Sequence, residues 1–178
     1  MEAMNGPRYL RAGWPKPKVA QRHSAYARDL VHVGVKFVRM EPAHESTVEN
    51  LFNARLQLEG PCRVQPPEVG IVAVHGQDLV AAVTLGAATT GGHRWALVRG
   101  LAVTLKWERR GLATVLLGMI PQLVPVSFIF GGCSPDAAEF YQRAGFDVLA
   151  AGEPLPTPFG RSLASSNPFY PSWFFRFA

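Results

Sequence analysis

Hydrophobic and polar positions change period several times along the chain, and those changes mark out its elements. Residues 33–40, VGVKFVRM, alternate with a period of two and put Val33, Val35, Phe37 and Arg39 on one face of a strand. The next stretch, HESTVENLFNARLQLEG, brings Val48, Leu51, Phe52, Arg55 and Leu58 to helical spacing, and Gly60-Pro61 is expected to stop that helix. Residues 69–75 and 79–87 return to strand character around a Gly76-Gln77-Asp78 turn, and Thr89-Thr90-Gly91-Gly92 leads into a third strand at 94–103.

Beyond that point the period lengthens again. Residues 111–123 read as a helix, 126–130 as a short buried strand, and 135–144 as a second helix closed by Gly145. A strand at 146–150 and a Pro/Gly/Ser-rich segment at 152–166 precede the apolar strand SWFFRFA. No internal repeat is visible. The order β, α, β, β, β, α, β, α, β, β predicts an α/β chain with one mixed sheet and helices packed on it. Residues 1–32 read as an N-terminal extension carrying Gly6, Pro7, Gly13 and Pro15 and a short helix over 19–31, leaving 33–178 as the domain.

Composition narrows the class. A chain of 178 residues with 48% hydrophobic and 17% charged residues suits one globular domain with a real core. The longest apolar run, 112–130, is interrupted by Pro121 and Pro125 and falls short of the roughly 20 residues a membrane span needs. The opening MEAMNGPRYLRAGWPKPK lacks the apolar stretch of a secretory signal, so a cytoplasmic location and no membrane partner are expected. Cys62 and Cys133 are far apart, and the five histidines form no ligand pair, which argues against a disulfide scaffold and a metal site. The net charge of +5 favours anionic partners. Its basic residues cluster early, at Arg8, Arg11, Lys16, Lys18, Arg22 and Arg28, which keeps nucleic acid among the possible partners.

Chemistry concentrates in LAVTLKWERRGLATVLL, residues 101–117. A strand runs into a loop and Gly111 opens a helix, whose first N–H groups lack partners and carry partial positive charge. The glycine lets a ligand approach the backbone, Ala113 keeps that approach clear, and Arg109 and Arg110 add positive charge. Such a loop suits a pyrophosphate, although no GK[ST] follows as in a Walker loop. Downstream, GGCSPDAAEFYQRAGF offers Ser134 as an N-cap, Pro135 at the first helical position, and Tyr141 four residues before Gly145.

Together the strand, the R-R-G-x-A loop, and the helix with a tyrosine leading into Gly-Phe resemble the core of the GCN5-related N-acetyltransferase (GNAT) superfamily. The resemblance covers roughly 33–178 and is densest over 95–146. It implies a mostly antiparallel sheet of six to seven strands flanked by helices, and transfer of an acetyl group from acetyl-CoA to a primary amine. The acceptor would be a small molecule or a peptide, and the protein a monomer or homodimer. A nucleic-acid- or protein-binding module on the same fold is the competing expectation, as is transfer to a nucleic-acid or tRNA acceptor.

Carried over by position, Leu101 and Val103 offer backbone groups to the pantetheine arm. Arg109, Arg110, Gly111, Leu112, Ala113 and Thr114 form the pyrophosphate loop, with Ser134 nearby. Tyr141 is the acid that protonates the departing thiolate, as a phenol can at neutral pH. Two positions depart from the family pattern: Glu108 stands where Gln or Arg is usual, and Ser134 where Asn is common. A carboxylate at the loop start would repel a pyrophosphate unless it turned away or paired with Arg109 or Arg110. The strand 93–103 holds no carboxylate, so a water-mediated base is expected, with Glu41, Glu68, His75 and His93 as side-chain candidates. Cys133 fits a buried packing residue better than an acyl carrier. Of the aromatic tail, alternate residues of 173–177 are assigned to the core, and Phe169 and Tyr170 to a pocket or a partner. Arg94 or Arg99 could select an acidic acceptor.

Overall fold

A computed structural model describes residues 17–158, 162–165 and 167–177. The segment before residue 17, including Gly6, Pro7, Gly13 and Pro15, lies outside them. A seven-stranded sheet dominates, in the order β1 (Val35–Arg39), β2 (Val69–His75), β3 (Asp78–Thr90), β4 (His93–Val103), β5 (Phe128–Cys133), β9 (Ser172–Phe177), β6 (Asp147–Val148). All neighbours run antiparallel except β4 and β5. This is the mixed, mostly antiparallel sheet that the resemblance implied. Among the described residues no helix is long and apolar enough to cross a membrane.

Helices cover both faces. On one face α1 (Pro17–His32) and α3 (Leu112–Leu123) bury Ala27, Leu30, Val115, Leu116 and Met119 against Ile71, Ala81, Val83 and Leu85. Helix α1 presents Ala20, His23, Ala27 and Leu30 at helical spacing, all buried, so it is an integral layer of this core. On the other face α2 (Glu45–Arg55) sets Val48, Leu51 and Phe52 on Val38, Val72, Ala82 and Ala102. A third cluster of Phe128, Phe130, Leu155 and Phe175 lies under a small hairpin, β7 (Leu155–Pro156) and β8 (Ser162–Leu163). That hairpin is the use made of the Pro/Gly/Ser-rich segment, which local pattern did not reveal as strands.

Several details differ from the sequence reading. Helix α2 ends at Arg55, five residues before Gly60, and Leu56 is already extended. The reason is a set of side-chain acceptors on α2 that hold the following chain. Asn53 accepts from the Cys62 N–H at 2.7 Å, and Glu49 accepts from the Val64 N–H at 2.9 Å and from Arg63 at 3.1 Å. Strand β5 runs through Gly131 and Gly132 to Cys133, past the expected end at Phe130. Gly131 is required there because a Cβ would collide with the Phe174 ring on β9. The final strand buries Phe174, Phe175 and Arg176 in succession, because helices cover one face and the hairpin the other.

The feature that positions the site is a divergence between β4 and β5. Their parallel pairing stops at Val98 and Gly131. At that height the β3–β4 register slips, so that Leu85 faces Val98 and Thr84 faces Gly100, leaving Arg99 as an extra residue. Past the bulge β4 pairs with β3 alone, and β5 continues on β9 with Gly132 opposite Trp173. A cleft opens between the two strands, edged by β4 backbone groups that no strand on that side pairs.

Candidate functional site

Two cavities flank this divergence and meet at Tyr141, Leu101 and Leu56, which line both. The first, of about 850 Å³, is bounded by the end of β4, the loop after it, the first turn of α3, and α4 (Ala138–Arg143). Leu101, Val103, Arg109, Gly111, Leu112, Ala113 and Thr114 all line it, so the contiguous stretch singled out in the sequence forms one wall. Gly111 is the N-cap of α3 with φ +83°, a conformation that disfavours any side chain. A Cβ there would also collide with the ring of Tyr26 on α1. Arg109 sits at φ 60°, the positive-φ position among the described non-glycine residues. The loop is thus tightly turned, and the open first turn of α3 faces the cavity.

Arg110 and Ser134 are placed differently. Arg110 lies over the Trp107 ring at 4.9 Å, and neither it nor Ser134 is among the residues lining this cavity. Ser134 caps the short turn Pro135–Ala137 without a side-chain hydrogen bond. The unusual carboxylate is resolved through a partner that the sequence did not suggest. Glu108 accepts from Arg55 at the end of α2, not from Arg109 or Arg110. The pair removes the repulsion a phosphate would otherwise meet and ties α2 to the loop. Other lining residues, Arg22 and Tyr26 on α1 and Phe140 and Arg143 on α4, were not legible as site residues.

Tyr141 is held from several sides. Its ring stacks on Phe174 at 3.7 Å and 9°, and meets Phe140 at 5.0 Å and Phe146 at 6.3 Å edge-on. Burial, reinforced by Cys133 and Tyr170, raises its hydroxyl well above the usual phenol range, so it stays protonated at neutral pH. Cys133 belongs to the core: it is buried, its Sγ donates to the Ser134 carbonyl at 3.1 Å, and burial pushes the thiol up to about 11. A thiol so seldom ionised is a poor acyl carrier.

The second cavity, of about 550 Å³, lies on the other side of Tyr141. Leu97, Val98, Tyr170, Trp173 and Phe174 give it an apolar wall, and Glu59, Arg63, Glu68 and Arg99 supply charge. The bulge residue Arg99 donates from Nε to Glu68 at 3.3 Å, and that carboxylate is only 11% exposed. Burial raises the Glu68 carboxyl, with Arg99 acting against the shift. Tyr170 accepts from the Gln57 N–H at 3.1 Å, joining the aromatic tail to the segment after α2.

The remaining base candidates lie elsewhere. Glu41 caps the turn Pro42–His44, its N–H donating to His44 Nδ1 at 3.0 Å. His75 packs on Trp107 at 4.9 Å, and His93 is exposed at the start of β4. Arg94 is exposed and outside both cavities. Among the described residues no group of His, Cys, Asp and Glu could hold a metal ion.

No protein-family profile and no curated protein sequence matches the chain. Solved structures do. A GNAT-family acetyltransferase from Staphylococcus aureus superposes with a TM-score of 0.59 at 12% identity, covering 81% of this chain and 99% of that one. Arabidopsis thaliana NAA60 in complex with acetyl-CoA gives 0.59 at 15% identity, over 81% and 98%. An aminoglycoside acetyltransferase from an uncultured soil metagenomic sample gives 0.54 at 18% identity, over 65% and 89%. With the split between β4 and β5 and the glycine-opened α3 in place, the chain has the fold of the GNAT-family acetyltransferases.

Proposed function

We propose that the protein transfers an acetyl group from acetyl-CoA to a primary amine, with Tyr141 as the general acid. The observation that carries this reading is that Tyr141, a buried and protonated phenol, lines both cavities where they meet. The larger cavity suits the CoA side. Its wall offers unpaired β4 backbone at Leu101–Val103, then the open α3 turn at Gly111–Thr114 for a pyrophosphate. The smaller, aromatic-walled cavity suits the amine.

In this scheme acetyl-CoA supplies the activated acyl group as a thioester. The backbone edge of β4 orients that thioester across the cleft and polarises its carbonyl. Glu68, partly desolvated and therefore a stronger base than an ordinary carboxylate, takes the ammonium proton directly or through water. The free amine attacks the carbonyl, the carbon–sulfur bond breaks as the adduct collapses, and Tyr141 gives its proton to the thiolate. The new amide nitrogen releases its extra proton to solvent, and solvent reprotonates the tyrosine. The direct route leaves Cys133 no part.

The test joins binding to turnover. Calorimetry of the full chain with acetyl-CoA is expected to show binding at micromolar concentration or tighter. Thiol release is then followed with amino acids, peptide N-termini, polyamines and aminoglycosides. Absence of acetyl-CoA binding sinks the proposal.

A further inference from the structure

Helix α1 closes the exposed end of the larger cavity with side chains that acetyl transfer does not use. Tyr26 lies against Gly111, where a Cβ would strike its ring. Arg22 is one helical turn earlier, on the same face, and lines the same cavity. Its Nη1 donates to the carbonyl of Arg143 at 3.0 Å, joining α1 to the end of α4. Arg143 also lines the cavity, and Arg109 lies two residues before Gly111.

The charge balance at this end is uneven. Arg22, Arg55, Arg109 and Arg143 line the cavity, against Glu108 and Asp136. Arg55 and Glu108 neutralise each other. Arg143 shares its charge with the exposed Glu139 at 3.1 Å, so Asp136 alone faces Arg22, Arg109 and the remainder of Arg143. Arg22, Arg109 and Arg143 are exposed, whereas Tyr141 is buried, so the positive surplus gathers at the mouth. A nucleotide thioester with its acyl end at Tyr141 and its pyrophosphate on the α3 turn would bring its ribose to this mouth. CoA carries a phosphate monoester there, at the 3′ position.

We propose that α1 and α4 form a subsite for this 3′-phosphate monoester, with Arg22 as the main donor and Arg143 as the second. The inference rests on the acetyl-CoA reading above, and it assigns a binding role to a helix that sequence pattern placed in an extension. Arg22 reaches the monoester while α1 stays packed, because its anchor to α4 is a single guanidinium nitrogen and the others remain available.

The probes are CoA and 3′-dephospho-CoA, titrated calorimetrically into the full-length chain at low salt. CoA is expected to bind about tenfold more tightly, a gap that narrows as salt is raised. Arg22→Ala reduces the gap to about twofold, Arg22→Lys keeps most of it, and Arg94→Ala, outside the cavity, leaves it whole. Equal affinity of the unmutated protein for the two nucleotides overturns the subsite while leaving the acetyl-donor reading intact. A gap that survives Arg22→Ala combined with Arg143→Ala overturns it as well. If neither nucleotide binds, the acetyl-donor reading fails and the subsite falls with it. Thermal melts without ligand check that Arg22→Ala is folded, and the comparison on the unmutated protein needs no variant.

Discussion

The two cavities that share Tyr141 are assembled in opposite ways. One wall of the larger is a single run of chain, from Leu101 through Gly111 to Thr114. The smaller is gathered from the segment after α2, the bulge at Arg99, Gly132 in β5, and the tail around Tyr170 and Trp173. A backbone-built site is carried by local conformation, so its signature is a short motif with a glycine at φ +83°. A side-chain-built site depends on which distant segments the sheet brings together. The first kind of site can therefore be read along the chain, and the second cannot.

The largest effect should come from Tyr141, the ionisable residue among the three that line both cavities. Tyr141→Phe is expected to lower turnover by about a hundredfold or more, with CoA affinity changed less than about twofold. Thiol-release kinetics beside calorimetry would check this. A parallel loss of binding would mean that Tyr141 serves the larger cavity alone.

Next in size is the support beneath the larger cavity. His23 on α1 is fully buried, and burial, then Arg176 and Arg22, lower it to about 4 from its ordinary 6.5. The unfolded chain therefore binds more protons between those values, and stability present above pH 6.5 is lost as pH falls toward 4. The loss should reach about 3 kcal/mol. Melting curves at pH 7 and pH 4.5 would measure it, and His23→Leu should flatten the dependence.

Gly111→Ala tests the backbone-built wall. Left-handed φ and the Tyr26 ring both oppose a side chain, so CoA affinity should fall by about tenfold or more. The Michaelis constant for the amine should hardly move, and an equal loss on both sides would dissolve the distinction between the cavities. Glu68→Gln is the counterpart for the smaller cavity. It should lower kcat/KM for the amine by about tenfold and flatten the acid limb of the pH profile, with CoA affinity preserved. The smallest change belongs to Glu108→Gln, which frees Arg55 and should tighten CoA by about two- to threefold at low ionic strength. Weaker binding instead would make the pair a brace for the loop.

Local pattern was enough to give the order of the elements that build the main sheet and its covering helices, the glycine-opened helix after β4 and the spacing of Tyr141 from Gly145, but not the β7–β8 hairpin. Each is encoded by neighbours within a few residues, through periodicity, capping and the conformational freedom of glycine. The remaining features come from contacts between distant segments. Arg55 meets Glu108 across 53 residues of chain, and Arg22 meets Arg143 across 121. Helix α2 stops at Arg55 because Asn53 and Glu49 capture the backbone beyond it. Glu68 and Arg99, the residue left over at the β4 register slip, meet across 31 residues of chain and line the smaller cavity together. Such contacts have no local period or spacing. They exist because closing a sheet over a core brings distant polar groups together, and a half-buried charge must then find a partner.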